Sequence, residues 1–374
     1  MVKLRLPEIL HADDGIVRPA FSGYLIWAML VLTGLALLIL VTKNPVIFST
    51  MQVIIIYSAM ALSYDYFSGY SGYYNLGFGA FTGLGAYIFI FVTNAYGMGT
   101  VPVLNDVAII FGFLVTGSLT ALFAAGISYP FLRLRGAYFA IATLALIFLL
   151  PIIFQNFATY TGGLDGIHVG IAVPSIQNAF YVGSLIFLIL AAAIHNYIGK
   201  TRLNLALKSI REEEEITESF GVNTFRVKQL GLALSGFFGG ICGALYAIDI
   251  VFLNTQTAFS PVIGLTPVVA SMTGGSGIFL GPIVGSFILG IVNQYFAVNS
   301  LFTLSPIVIT GALLIIVGLF IPGGVLRIRS LRNIAYKHPD ERIIRIFRKK
   351  QTRLTHTAIA SENSATATAS KMSS

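Results

Sequence analysis

Charge is what this chain has least of. Asp, Glu, Lys and Arg make up 10% of its 374 residues, where soluble domains carry roughly 25%. So few charges cannot coat a folded body of this length for water, which excludes a soluble globular enzyme. Disorder is excluded along most of the chain by its 56% hydrophobic content. Cysteine is nearly missing: Cys242 stands alone inside an apolar run, which excludes a disulfide scaffold and a multi-cysteine metal centre. Histidine is thin as well. His11, His168, His195, His338 and His356 are too scattered in sequence to suggest a histidine cluster, and no metal site is expected. What remains is an all-α, polytopic membrane helix bundle.

A bilayer core about 30 Å thick takes about 20 mostly apolar helical residues to cross. Ten segments qualify: Tyr24–Thr42, Phe48–Phe67, Tyr74–Thr93, Val107–Tyr129, Ala137–Asn156, Ala179–Ile198, Gln229–Phe252, Ala258–Met272, Ile278–Val298 and Leu304–Ile321. The runs are continuous rather than alternating, and lipid offers no partner to an open strand, so helices are expected. The first is read as a retained helix. It follows a charged stretch with Lys3, Arg5 and Arg18, and no small-residue cleavage site comes after it. Ala258–Met272 is short and carries Pro261 and Pro267; it is expected to cross as a short or broken helix.

The basic residues orient the bundle. With the N-terminus inside and the spans alternating, every Lys and Arg of the 23 except Lys43 falls on the cytoplasmic side. Both termini are then cytoplasmic, and the outer loops hold Asp106 and Asp165. The chain divides into a cytoplasmic segment 1–23, a transmembrane domain 24–324 with a cytoplasmic loop 199–228, and a basic tail 325–374. That tail accounts for the whole net charge of +8. It is read as lying beside anionic lipid rather than binding nucleic acid. In it, Ile343, Ile344 and Phe347 interleave with Arg342, Arg345 and Arg348, which suits a helix on the membrane surface. From about Thr357 it turns Ala/Ser/Thr-rich and is expected to be disordered.

Glycine is plentiful, and its placement is informative. GxxxG pairs occur at Gly79/Gly83, Gly236/Gly240, Gly239/Gly243 and Gly281/Gly285, where small residues let membrane helices approach closely. Intramolecular packing explains most of them. Two polar, glycine-rich lead-ins look alike, Ser71-Gly72-Tyr73-Tyr74-Asn75-Leu76-Gly77 and Ser276-Gly277-Ile278-Phe279-Leu280-Gly281. They are a faint sign of internal duplication, a habit of transporters.

The 199–228 loop is the largest polar element between spans. Leu203, Leu207 and Ile210 share a helical face, and Arg211, Glu212, Glu213, Glu214 and Glu215 follow, then Glu218 and a glycine stop at Gly221. Lys208/Glu212 and Arg211/Glu215 are spaced to pair along one helix, and Glu214/Glu218 to repel. A solvated face is the plain reading; a helix that docks a partner fits the crowding of acids better. Gly199-Lys200-Thr201 imitates the end of a phosphate-binding loop, but Ile194 stands where that loop needs glycine. Embedded charge is confined to Asp65, read as a solvated helix end, and Asp249, a candidate for an outer vestibule. Ion-coupled carriers and pumps need ionisable groups in the path, so transport here is expected to be driven from outside the polypeptide.

Several motifs resemble one family. Leu132-Arg133-Leu134-Arg135-Gly136-Ala137-Tyr138-Phe139, Thr161-Gly162-Gly163-Leu164-Asp165-Gly166, Asn75-Leu76-Gly77-Phe78-Gly79-Ala80-Phe81, the loop from Arg211 to Gly221, and Gly239-Gly240-Ile241-Cys242-Gly243-Ala244-Leu245-Tyr246 resemble the LivM-type permease subunits of branched-chain amino-acid ABC importers. The likeness runs in order from about residue 50 to 300. It implies a pore-forming, non-enzymatic subunit in a prokaryotic plasma membrane, working by alternating access. Its implied partners are a second, LivH-like permease, two cytoplasmic ATPases that use ATP and Mg, and an extracytoplasmic substrate-binding protein; this chain itself would carry no cofactor. The ATPase-coupling residues implied are Arg211, Glu212, Glu213, Glu214, Glu215, Glu218 and Gly221. The translocation-pathway candidates are Ser71, Gly72, Asn75, Gly77, Gly79, Thr161, Gly162, Gly163, Asp165, Gly275, Ser276 and Gly277. Departures are Ile216 and Thr217 after the acidic run, where relatives usually show two alanines, Glu215 in place of an apolar residue, and Tyr70, Tyr73 and Tyr74, which would narrow a gate. Urea and amide importers use similar permeases. An autonomous channel or carrier for a small neutral solute would leave the acidic segment unexplained, and a membrane scaffold would leave the paired glycine lead-ins unexplained.

Overall fold

The computed structural model describes residues 45–95, 102–169 and 173–298, with single positions 308, 311, 312, 315, 324 and 325. The expected spans Tyr24–Thr42 and Leu304–Ile321, Lys43 and the basic tail lie outside the described residues, apart from those single positions. The long helices are α1 (Pro45–Asp65), α3 (Phe78–Ala95), α4 (Pro102–Phe131), α5 (Ala137–Asn156), α7 (Val173–Ile198) and α10 (Thr224–Ile250). Shorter pieces are α2 (Ser68–Ser71), α6 (Ala158–Thr161), α8 (Arg202–Glu212), α9 (Glu214–Ser219), α11 (Thr255–Ala258), α12 (Pro261–Gly274) and α13 (Gly281–Val298). Five of the helices, α1, α4, α5, α7 and α10, are long and apolar enough to cross a membrane. Among the described residues two short elements are strands. Ile167–His168 (β1) and Phe252–Leu253 (β2) pair antiparallel, Ile167 opposite Leu253.

Helix α10 is the centre of the bundle. In its most apolar stretch 78% of residues are buried, against 28% for α5, so α10 is core and α5 faces outward. Glycines explain how α10 comes so close to two neighbours. A methyl at Gly243 would fall 1.9 Å from the Thr82 carbonyl oxygen of α3, and one at Gly240 would fall 2.5 Å from Thr120 Oγ1 of α4. Gly236 also meets α4, at Ala124, while Gly239 faces Phe78 of α3. The two overlapping GxxxG pairs thus serve two different partners. Gly281/Gly285 seats α13 on α12, and Gly79/Gly83 abuts Gly264 and Phe259. Every pair works within this chain.

One sequence expectation takes definite form and another changes. The segment Ala258–Met272, expected to be short or broken, is both: α11 ends at Ala258, and after a break the 14-residue α12 begins at Pro261. Asn254 caps α11 with its side chain on the Thr257 amide, and Pro261 restarts the helix because proline has no amide to continue the ladder. At 1.5 Å per residue α12 is about 21 Å long, short of a bilayer core. The acidic loop also breaks. Glu213 adopts an extended conformation (φ −158°, ψ 107°) and divides α8 from α9, so the expected Arg211/Glu215 spacing no longer stacks the two side chains. Neither that pair nor Lys208/Glu212 is among the described ion pairs.

Candidate functional site

The acidic segment is an elbow bolted to the bundle at several points. Helix α8 is amphipathic as read: Leu203, Leu207 and Ile210 are buried. Past the extended Glu213, Glu214 turns inward. Its Oε1 accepts from Lys228 Nζ at 2.6 Å and its Oε2 from the Tyr73 hydroxyl at 2.5 Å. Lys228 is 3% exposed and also stands over the Tyr73 ring, 4.8 Å from its centroid. Burial alone would raise the Glu214 pKa. The hydrogen bonds from Lys228 and Tyr73, with the charges of Lys228 and Arg135, outweigh it and hold the carboxyl below its usual range. For Tyr73, burial and the anion it bonds push the phenol up. Glu215 pairs outward with Arg135 at 2.9 Å, both well exposed, and that bond raises the Arg135 pKa. Glu218 accepts from Thr224 Oγ1 at 2.5 Å. Gly221, at φ +83°, ends α9 and donates its amide to the Glu218 carbonyl at 2.8 Å.

What these anchors leave facing out is a mixed surface. Glu212 and Glu213 are exposed, Ile216 is 55% exposed and Phe220 84%. A groove of about 390 Å³ runs between Ser209, Glu212, Glu213, Ile216, Phe220 and Val222.

A second cluster lies at the same end and was missed by the sequence reading. Asp65 is not solvated: it is fully buried. Its Oδ2 lies 3.0 Å from His195 Nε2, its Oδ1 accepts from Ser271 Oγ at 2.6 Å, and the Gly277 amide donates to both oxygens at 3.1 and 3.0 Å. His195, also buried, meets the Tyr70 hydroxyl at 3.2 Å through Nδ1. These residues are far apart in sequence, which is why neither charge patterning nor a search for histidine clusters brings them together. Tyr70 and Tyr73, expected to narrow a gate, hydrogen-bond into these two networks, and Tyr74 is 40% exposed.

The pathway candidates separate into two groups. Ser71, Gly72 and Gly277 lie against Arg211 of the elbow, Gly275 and Ser276 directly precede Gly277, and Asn75, Gly77 and Gly79 lead from there into α3. Ser71 Oγ donates to the Phe67 carbonyl and accepts from the Tyr73 amide, and Asn75 Oδ1 accepts from the Gly77 amide. Asn75 Nδ2, though buried, has no partner among the described residues. Gly77 abuts the Thr143 carbonyl and Gly79 abuts Gly264. The other group, Thr161, Gly162, Gly163 and Asp165, lies beside the β1–β2 pair. There Thr161 Oγ1 closes on the Phe154 carbonyl at 2.6 Å, and the Gly163 carbonyl receives the Thr255 amide at 3.2 Å. Asp165 is exposed. Among the described residues no group of His, Cys, Asp and Glu is arranged to hold a metal.

Residues 46–318 match the family described as branched-chain amino acid transport system / permease component. The chain is 26% identical over 279 residues to the high-affinity branched-chain amino acid transport system permease protein LivM of Escherichia coli, a match covering 64% of this chain and 62% of that relative. The LivM protein of Salmonella typhimurium is 27% identical with the same coverage. LivH of Escherichia coli is 24% identical over 291 residues, 72% of this chain and 91% of that protein. The chain thus spans about 62% of the length of the LivM relatives it matches. No solved structure matches it significantly. With apolar helices able to span a bilayer, and with nearly three quarters of its length inside the match, this chain is a membrane protein of the branched-chain amino acid transport permease family.

Proposed function

We propose that this chain is the transmembrane permease subunit of an ATP-driven importer for branched-chain or related amino acids. It moves solute by alternating access against a second permease, with ATP hydrolysis in two cytoplasmic ATPases and solute delivered by an extracytoplasmic binding protein. On this reading the bundle has about ten spans with both termini cytoplasmic. The elbow lies on the cytoplasmic side and the β1–β2 end outside, and 325–374 is a basic tail against anionic lipid.

One observation carries the proposal. The elbow is fastened inward by Glu214, Tyr73 and Lys228 while Glu212, Glu213, Ile216 and Phe220 stay outward. An exposed phenylalanine among acids is a poor solvated connector and a good knob for a cleft in a motor subunit. A rigid elbow pushed there tilts the helices it is bolted to. The sparse embedded charge agrees, since a chain that harvests an ion gradient carries ionisable groups along its path.

Uptake of labelled solutes in a strain lacking this chain tests it. Leucine, isoleucine and valine uptake should fall and return on complementation. Loss confined to urea or amides would move the substrate and keep the mechanism. Unchanged uptake of all of these, or ATP-independent flux by the purified chain alone in vesicles, would overturn it.

A further inference from the structure

The two glycine-rich lead-ins that look alike in sequence meet through α2 and Arg211: Gly277 packs on Gly69 of α2, which runs into the first lead-in, and the Arg211 side chain reaches both. Aligned on Ser71 and Ser276, their glycines Gly72 and Gly277 take nearly the same left-handed backbone, φ +72° and +77°, which favours glycine. A methyl on Gly277 would lie 2.7 Å from the Gly69 carbonyl oxygen. The first turn leads into α3 and the second into α13.

Two charged side chains hold this contact from opposite sides. Within the bundle, Asp65 binds the Gly277 amide with both oxygens and fits under Gly69 because glycine has no side chain: a methyl there would sit 2.1 Å from Oδ1. His195 of α7 and Ser271 of α12 fix the carboxylate. From the elbow, Arg211 at the end of α8 donates Nη1 to the Gly69 carbonyl at 3.0 Å. Its side chain lies across both turns: a methyl on Gly72 would meet its Cγ at 2.9 Å, and one on Gly277 would be 3.6 Å from Nη1.

We propose that Asp65 and Arg211 are positioning residues that lock both glycine turns to α8, so that displacement of the elbow moves the starts of α3 and α13 together. A surface arginine tied only to its own loop would not need this construction. A buried carboxylate with all its partners from other elements fixes relative position, because each bond it loses leaves a desolvated acceptor. The network therefore acts as one body that slides or tilts as a unit.

This inference rests on the ATP-driven reading, and the assay separates the two. The chain is reconstituted in vesicles with its partner permease, ATPases and binding protein, and solute uptake and ATP hydrolysis are measured together. ATP-dependent uptake by the unaltered complex is the condition of the functional reading. Given that, Arg211→Met should lower solute moved per ATP by about tenfold, within the range that contact networks transmit. Arg211→Lys, which keeps a donor for the Gly69 carbonyl, should recover most of the ratio. A ratio for Arg211→Met equal to that of the unaltered complex overturns the proposal. A second measurement needs no variant of the network. Spin labels at the exposed positions Leu205 on α8, Ile291 on α13 and Ile141 on α5 report distances before and after ATP trapping. The 205–291 distance should hold while both move relative to 141; a change in 205–291 of more than about 2 Å, the scale of helix shifts, overturns it.

Discussion

Removing the Glu214 carboxylate should be among the most damaging single changes in the polar part of the molecule. Lys228 is 3% exposed and Glu214 12%, so Glu214→Ala leaves an ammonium buried with only the Tyr73 hydroxyl, at 3.4 Å, and ring beside it. Breaking a buried pair from one side costs about 3–5 kcal/mol, because the survivor stays desolvated. That is a large share of a domain stability of about 5–15 kcal/mol. Lys228→Ala should cost a similar amount, and the double variant no more than either single one. Tyr73→Phe removes one bond to a charged acceptor but keeps the ring under Lys228, and should cost about 1.5–3 kcal/mol. Unfolding by denaturing detergent in mixed micelles, read by circular dichroism, gives the four free energies. The pH dependence has a fixed sign. The carboxyl lies lower when folded than its ordinary value of 4.5, so its contribution is complete above that value. It is lost as the pH falls below it, through the depressed folded value. Single variants each costing under about 1 kcal/mol, and adding in the double, would mean the pair behaves as an exposed bridge, and the anchoring argument would fail.

Other expectations follow from the same geometry. Arg135→Ala removes a pair exposed on both sides and should leave stability nearly unchanged, with any small effect fading in high salt, by the same unfolding assay. Gly243→Ala forces α3 and α10 apart at the Thr82 carbonyl and should lower stability by at least about 1–3 kcal/mol. Gly126→Ala, with nothing within 4 Å, should be neutral or stabilising. Gly221→Val has room for its side chain but not for its backbone at φ +83°. It should lose about 1–2 kcal/mol and cut solute moved per ATP more than truncation after Thr357, while Gly221→Asn should be milder. The thiol of Cys242 is fully buried, so maleimide should react only once the bundle unfolds; rapid labelling of the folded protein would contradict the α10 packing.

Long apolar runs are legible from sequence because each crossing helix must satisfy its backbone inside itself. Ala137–Asn156 has the same ends when read and when folded. The GxxxG pairs were read as packing and are packing, though which neighbour each one meets is not written in the spacing. The elbow was legible in its acids and its glycine stop but not in its break. Nothing local forbids helix at Glu213; what bends the chain there is the pull of Lys228 and Tyr73 on Glu214, across 14 and 141 residues. Asp65 was misread for the same reason. A lone acid near a helix end is ordinarily wet, and only the return of His195, Ser271 and Gly277 from distant segments dries it. Pattern reports what a residue does along its own helix, whereas these side chains answer to other helices.

The wide separation of the Asp65 partners has a consequence for biogenesis. His195 follows it by 130 residues, Ser271 by 206 and Gly277 by 212. At a synthesis rate of about 5–20 residues per second, about 7–26 s pass before the imidazole is made and about 11–42 s before the last amide. Throughout that interval the nascent α1 carries a carboxylate at its end that none of these three groups has yet reached. Its final seat therefore closes only late in translation, making the seam between the two glycine turns one of the last parts of the bundle to form.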